Sequence, residues 1–135
     1  MLFRSFQAGP GGGMTPLMAA AGLGRVISET LVTAEMAFEA TKLALELGND
    51  INATNDYGET ALHGAAHIRN NTLVQFLVDK GAHVNAKTTR VFNMGYGPVG
   101  QTPTMYAERV IAPGSLPVHE RTSTGDLLRK LGGGE

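Results

Sequence analysis

Two short submotifs recur in the same order along this chain, and this internal repetition constrains the fold more than any other feature. The first is a glycine followed two residues later by a threonine and then an apolar stretch, and it begins at Gly13, Gly58 and Gly100. The second spans residues 47–53 and recurs 33 residues later, at residues 80–86. Two submotifs that keep their order predict a solenoid of stacked units.

The middle unit predicts a turn followed by two antiparallel helices. Gly58 permits the positive φ of a tight turn, and Thr60 has the side chain of a helix N-cap. The following helix is rich in alanine, which allows a neighbouring helix to approach closely. Thr72 is positioned to cap a second, apolar helix, which Gly81 would end in a left-handed conformation. Such a unit cannot bury its apolar faces alone, so it must stack on similar units.

These residues resemble the ankyrin repeat, whose pattern combines a glycine turn, T-P-L-H-x-A-A, V-x-x-L-L and G-A-x-V-N-A. The middle unit departs from it at Ala61, which replaces proline, and at Arg69, which replaces the glycine between the helices. The resemblance covers roughly residues 13–131. It implies an all-α ankyrin-repeat solenoid of about three helix-turn-helix repeats, with projecting hairpin arms and extra loops.

The spacing between units shows where extra residues are inserted. Thr15 and Thr60 are 45 residues apart, and Thr60 and Thr102 are 42 apart, whereas the second submotif keeps its offset of 33. We therefore expect an insertion inside the first repeat, with one long second helix at about residues 28–47 capped by Ser28, and a lengthened second arm. A closing helix is expected at residues 126–131. The expected organisation is a flexible lead-in at 1–12, repeats at about 13–54, 55–87 and 97–131, an extended arm at 88–99, and a flexible tail at 132–135.

Composition limits the possible partners. The formal net charge is −1 and the basic residues are scattered, so neither nucleic acid nor a membrane is an expected partner. The sequence contains no cysteine, which excludes disulfides, thiolate nucleophiles and cysteine-ligated zinc. Nothing in the sequence indicates a compartment.

Candidate catalytic and metal-binding residues are few. His63 and His67 are four residues apart on a predicted helix, but no acidic residue stands between them as in a metalloprotease helix. The ankyrin resemblance gives His63 a structural role, with its ring bonded to the Thr60 hydroxyl. We therefore expect no cofactor, no metal and no catalysis. The alternative is a small hydrolytic or metal-dependent enzyme built on the repeat scaffold around His63, His67 and His119.

The resemblance implies that a protein partner is held by the arm tips and the adjoining face of the first helices. Aromatic residues, methionine and arginine in the long arm add residue types that are enriched at interfaces. An alternative is that Phe92 and Met94 fold back over the edge of the stack. The candidate contact residues are Asp56, Tyr57, Glu59, His67, Ile68, Arg90, Phe92, Met94, Tyr96, Gln101 and Arg109.

The N-terminal end of the predicted stack begins without a polar capping helix. We expect its first helix, at about residues 16–21, to expose apolar surface. That surface is consistent either with a fragment of a longer repeat protein or with a homodimer through the uncapped repeat. The sequence thus predicts a non-catalytic protein–protein interaction module.

Overall fold

A computed structural model describes residues 13–22, 33–89, 100–108 and 122–133 of the chain. The described residues form six helices and contain no β-strand, as expected for an all-α fold. The expected lead-in at 1–12 and most of the extended arm lie outside these residues. The helices are α1 (Pro16–Ala21), α2 (Ala34–Glu46), α3 (Ala61–His67), α4 (Asn71–Asp79), α5 (Pro103–Ala107) and α6 (Ser123–Lys130).

A threonine is the N-cap of five of the six described helices. In each case the threonine backbone is extended and its hydroxyl accepts a hydrogen bond from the backbone N–H three residues later. The sixth helix, α4, is capped by Asn70, which accepts from the N–H of Leu73, so the expected cap at Thr72 is wrong. The amide oxygen of Asn70 accepts from a free N–H group of the first turn, so the helix begins two residues earlier than a cap at Thr72 would place it.

The long second helix of the first repeat is shorter than expected. It begins at Ala34, because Thr33 has φ −75° and ψ 163° and accepts from the N–H of Met36. An extended residue at this position is incompatible with one continuous helix at about residues 28–47. The closing helix, by contrast, begins earlier than expected, at Ser123 with Thr122 as its cap.

The helices pack in two layers. The first helices of successive repeats, α1, α3 and α5, lie side by side, and the second helices, α2, α4 and α6, form the other layer. Each first helix also packs on its own second helix. The core between them consists mainly of leucine and alanine, and the alanines allow close helix approach. Its largest fully buried apolar side chains are Leu17, Met18, Leu62, Leu73, Val74, Leu77 and Leu128.

A glycine with positive φ follows each second helix, at Gly48, Gly81 and Gly132. Asparagines from the preceding arm bind the last two of these turns. Nδ2 of Asn52 donates to the Gly81 carbonyl over 3.1 Å, and Nδ2 of Asn85 donates to the Gly132 carbonyl over 3.2 Å. Asn52 and Asn85 are 33 residues apart in the second submotif, so the sequence repeat encodes a repeated contact between units. Of the expected flexible tail, Gly132 and Gly133 are hydrogen-bonded to the backbone of α6.

The N-terminal end of the stack exposes apolar surface, but not on the first helix as we expected. Leu17 and Met18 of α1 are each only 1% exposed. The exposed large apolar side chains of the described residues are instead Met36, Leu43 and Leu47, on α2 and its C-terminal cap. Among the described helices, none has the length and apolar character needed to cross a membrane.

Candidate partner-binding surface

Backbone hydrogen bonds close the base of the second arm, the segment between α4 and α5, and join it to the first arm, the segment between α2 and α3. The N–H of Thr88 donates to the Gln101 carbonyl over 3.0 Å, and the N–H of Thr89 donates to the Tyr57 carbonyl over 2.8 Å. Gly58 has φ +77°, as its predicted turn requires, and a Cβ there would lie 2.7 Å from the backbone nitrogen of Thr89. Only glycine therefore allows the two arms to meet this closely.

His63 connects α3 to the base of the second arm. The N–H of Thr60 donates to Nδ1 of His63 over 3.1 Å, so Nδ1 carries no proton. Nε2 must then carry the proton, and it donates to the Gln101 carbonyl over 2.9 Å. The ring is completely buried, and its predicted contact with the Thr60 hydroxyl is present at 3.0 Å. Both ring nitrogens are thus used in internal hydrogen bonds.

Glu59 belongs to a buried polar network rather than to an open surface. Its Oε1 accepts from Nδ2 of Asn55 over 2.9 Å, and its Oε2 accepts from the Tyr106 hydroxyl over 2.6 Å. Oδ1 of Asn55 in turn accepts from the backbone N–H groups of Tyr57 and Glu59. The Tyr106 ring completes the network by packing edge-on against His63, with centroids 4.7 Å apart.

Two of the candidate contact residues are therefore not available as exposed side chains. Tyr57 is 8% exposed and Glu59 is 7% exposed. Their interactions connect the turn between residues 55 and 60 to the second arm and to α5, and they leave little of either side chain exposed to a partner. This burial is not predicted from the sequence, because one of the two side-chain partners of Glu59, Tyr106, lies 47 residues along the chain.

Asp56 occupies the tip of the same turn and is exposed. The turn is closed by the Gly58 N–H, which donates to the Asn55 carbonyl over 3.0 Å. Gly13, the first glycine of the repeated submotif, lies beside it, because a Cβ on Gly13 would be 3.3 Å from Oδ1 of Asp56. Asp56 is thus an exposed residue of a hydrogen-bonded turn.

The remaining described candidates are half-buried. His67 ends α3 and Ile68 is its C-cap, and Ile68 packs against the hydrophobic core and the turn at Gly22. Gln101 is bound through its backbone to Thr88 and His63. Asp56 thus lies in the turn that precedes α3, His67 is the last residue of α3, and Gln101 lies at the base of the second arm. Arg90, Phe92, Met94, Tyr96, Arg109 and His119 lie outside the described residues.

No group of three or more histidine and acidic side chains is placed to hold a metal ion in the part of the chain that the structure describes. His63 has both ring nitrogens engaged, so it cannot pair with His67 on a metal without breaking the contact with Gln101.

Comparison with known proteins agrees with the fold. A family model for ankyrin repeats, in three copies, matches residues 2–88 and 31–110. A search of curated proteins gave no significant match.

Proposed function

Since the chain belongs to the ankyrin-repeat family, whose members generally serve as protein–protein interaction modules, we propose that it binds a partner protein through its arm tips and the adjoining face of α3. The proposal is for a non-catalytic role. The family is typically non-enzymatic, and the buried imidazole of His63 is fully used in holding the second arm.

The observation that supports this proposal most is the hydrogen-bonded connection between α3 and the two arm bases. His63 bonds the carbonyl of Gln101, and the Tyr57 carbonyl accepts from Thr89. A surface that is rigid before binding loses less conformational entropy when a partner binds. The exposed Asp56 lies on this frame, and so do the half-buried His67 and Gln101.

The proposed contact surface consists of two groups of residues. The described group is Asp56, His67, Ile68 and Gln101. The second group, Arg90, Phe92, Met94, Tyr96 and Arg109, rests on the sequence pattern, because arginine, aromatic residues and methionine are enriched at interfaces. The net charge of −1 supports a protein as the partner rather than nucleic acid or a membrane.

Site-specific photo-crosslinking in a lysate of the native host would test this proposal. A photoreactive amino acid at Asp56 reports on the arm tip, and the same amino acid at Lys130, which is exposed on α6, is the matched control. We expect a protein that crosslinks from position 56 but not from position 130. Its yield should fall in a Phe92→Ala/Tyr96→Ala variant of unchanged melting temperature.

Two results would contradict the proposal. One is the same set of crosslinked proteins from both positions, and the other is a position-56 product whose yield the arm substitutions leave unchanged.

A further inference from the structure

One face of α2 carries an apolar stripe that no other described element covers. The stripe consists of Met36, Ala40, Leu43 and Leu47, spaced by four, three and four residues, so its members lie along one side of the helix. Met36 is 56% exposed, Leu43 is 54% exposed and Leu47 is 75% exposed. The buried face of the helix is a different one, formed by Ala37, Thr41 and Ala44.

The equivalent positions in the next repeat indicate what kind of element this stripe contacts. In the next repeat, α4 contacts α2 through Phe76, whose ring centroid lies 4.8 Å from that of Phe38. Nζ of Lys80 lies over the Phe76 ring, 5.7 Å from its centroid. At the repeat offset of 33, Phe76 corresponds to Leu43 and Lys80 corresponds to Leu47. Leu43 therefore occupies the position with which α4 contacts the preceding helix, and Leu47 occupies the position of Lys80 beside it. This part of the stripe corresponds to a helix–helix contact already present in the stack.

The opposite end of the stack has a different character. There α6 carries Asp126, Arg129 and Lys130, and Arg129 forms ion pairs with Asp126 at 3.3 Å and with Glu108 at 2.7 Å. A second copy stacked head-to-tail would place this charged helix on the α2 stripe. Such a contact would take charged groups out of water against leucine and methionine, which is unfavourable.

Charge beside the stripe also disfavours a two-fold dimer. Glu35, Glu39 and Glu46 each directly precede a stripe residue, so they form one row along its flank, interrupted only by Lys42. All four side chains are exposed. A two-fold axis pairs the same patch with itself, and antiparallel pairing of α2 would bring the two acidic rows together. The charge is instead complementary to a basic partner.

We propose that the α2 stripe docks an amphipathic helix of a partner protein, with an apolar side that covers Leu43 and Leu47 and lysine or arginine beside the acidic row. This site is separate from the arm surface and does not depend on it.

Two designed helical peptides would test the proposal. Both carry leucine at heptad spacing, and one has lysine and the other glutamate at the flanking positions. Binding to the full chain is measured by fluorescence anisotropy. We expect the lysine peptide to bind about tenfold more tightly than the glutamate peptide. A Leu43→Gln/Leu47→Gln variant should lose this binding, a Glu39→Lys/Glu46→Lys variant should reverse the order of the peptides, and an Asp56→Ala control should change neither.

Three results would overturn the proposal. The first is equal affinity of the lysine peptide for the wild type and the glutamine variant. The second is a dimer in sedimentation equilibrium that the glutamine variant abolishes, which would make a second copy the occupant. The third is a lowered melting temperature of the glutamine variant, which would mean that the chain itself already covers the stripe.

Discussion

The hydroxyl of Tyr106 donates a hydrogen bond to Oε2 of Glu59 over 2.6 Å, joining the third repeat to the turn of the second. Both side chains are buried, and the other carboxylate oxygen accepts from Asn55. A buried carboxylate needs hydrogen-bond donors in place of water. Tyr106 and Asn55 supply them, so this pair holds together a turn, an arm and a neighbouring helix.

We predict that Tyr106→Phe lowers the free energy of unfolding by about 1.5–3 kcal/mol, because a buried carboxylate oxygen loses its donor. Urea unfolding followed by far-UV circular dichroism would measure the change. Thr104→Val is the matched control on the same helix. Its hydroxyl is buried without a hydrogen-bond partner among the described residues, so replacing it with a methyl group should change stability by less than about 0.5 kcal/mol.

The outcome that contradicts this prediction is a Tyr106→Phe variant as stable as the Thr104→Val control. In that case the short contact with Glu59 would contribute nothing to the stability of the stack.

Local sequence signals predict much of the fold. The cap at Thr60 and the positive φ of Gly58 and Gly81 each follow from one residue and its immediate neighbours. The family match agrees with the repeat architecture. Such features are predictable because capping and turn geometry depend on short-range backbone chemistry.

Features that depend on contacts between repeats are not predictable in the same way. Tyr57 and Glu59 have the polarity of contact residues, but both are buried, and each is hydrogen-bonded to a residue of a distant segment, Thr89 or Tyr106. The sequence predicts an exposed apolar surface on the first helix, whereas Leu17 is buried and Leu43 is exposed. Periodicity shows that a helix has an apolar side, but which of two apolar sides is covered depends on its neighbours.

The second prediction concerns Gly22, where both the backbone conformation and the space for a Cβ favour glycine. It has φ +110°, and a Cβ there would lie 2.7 Å from Cγ2 of Ile68. Gly48 has φ +95°, but a Cβ there would have no neighbouring atom within 4 Å, so it isolates the backbone constraint from the steric one. Gly48→Ala should cost about 1 kcal/mol in unfolding free energy, from the left-handed backbone alone.

Gly22→Ala should cost about 1–3 kcal/mol more than Gly48→Ala, because Ile68 or α1 must also move. Thermal and urea unfolding of both variants would measure the difference. An equal loss in the two variants would mean that Ile68 adjusts freely, and that the contact between the first two repeats is not tightly packed at this point.

Arg69 has φ +55°, a left-handed conformation at the position where the ankyrin pattern has glycine. A non-glycine residue there costs about 1–2 kcal/mol. Part of that cost is offset by Nε of Arg69, which donates to the Ala107 carbonyl over 3.0 Å and so links the second repeat to the third. Arginine at this position therefore adds backbone strain but gains a hydrogen bond between the second and third repeats.

Substitution at this position separates the two effects. Arg69→Ala keeps the strained Cβ and loses the hydrogen bond, so it should lower the unfolding free energy by about 0.5–1.5 kcal/mol. Arg69→Gly loses the same bond but relieves the strain, and it should be more stable than the alanine variant by about 1 kcal/mol, even though glycine has greater freedom in the unfolded chain. Urea unfolding of both variants would provide the comparison. A glycine variant less stable than the alanine variant would show that the left-handed backbone at Arg69 carries no significant strain.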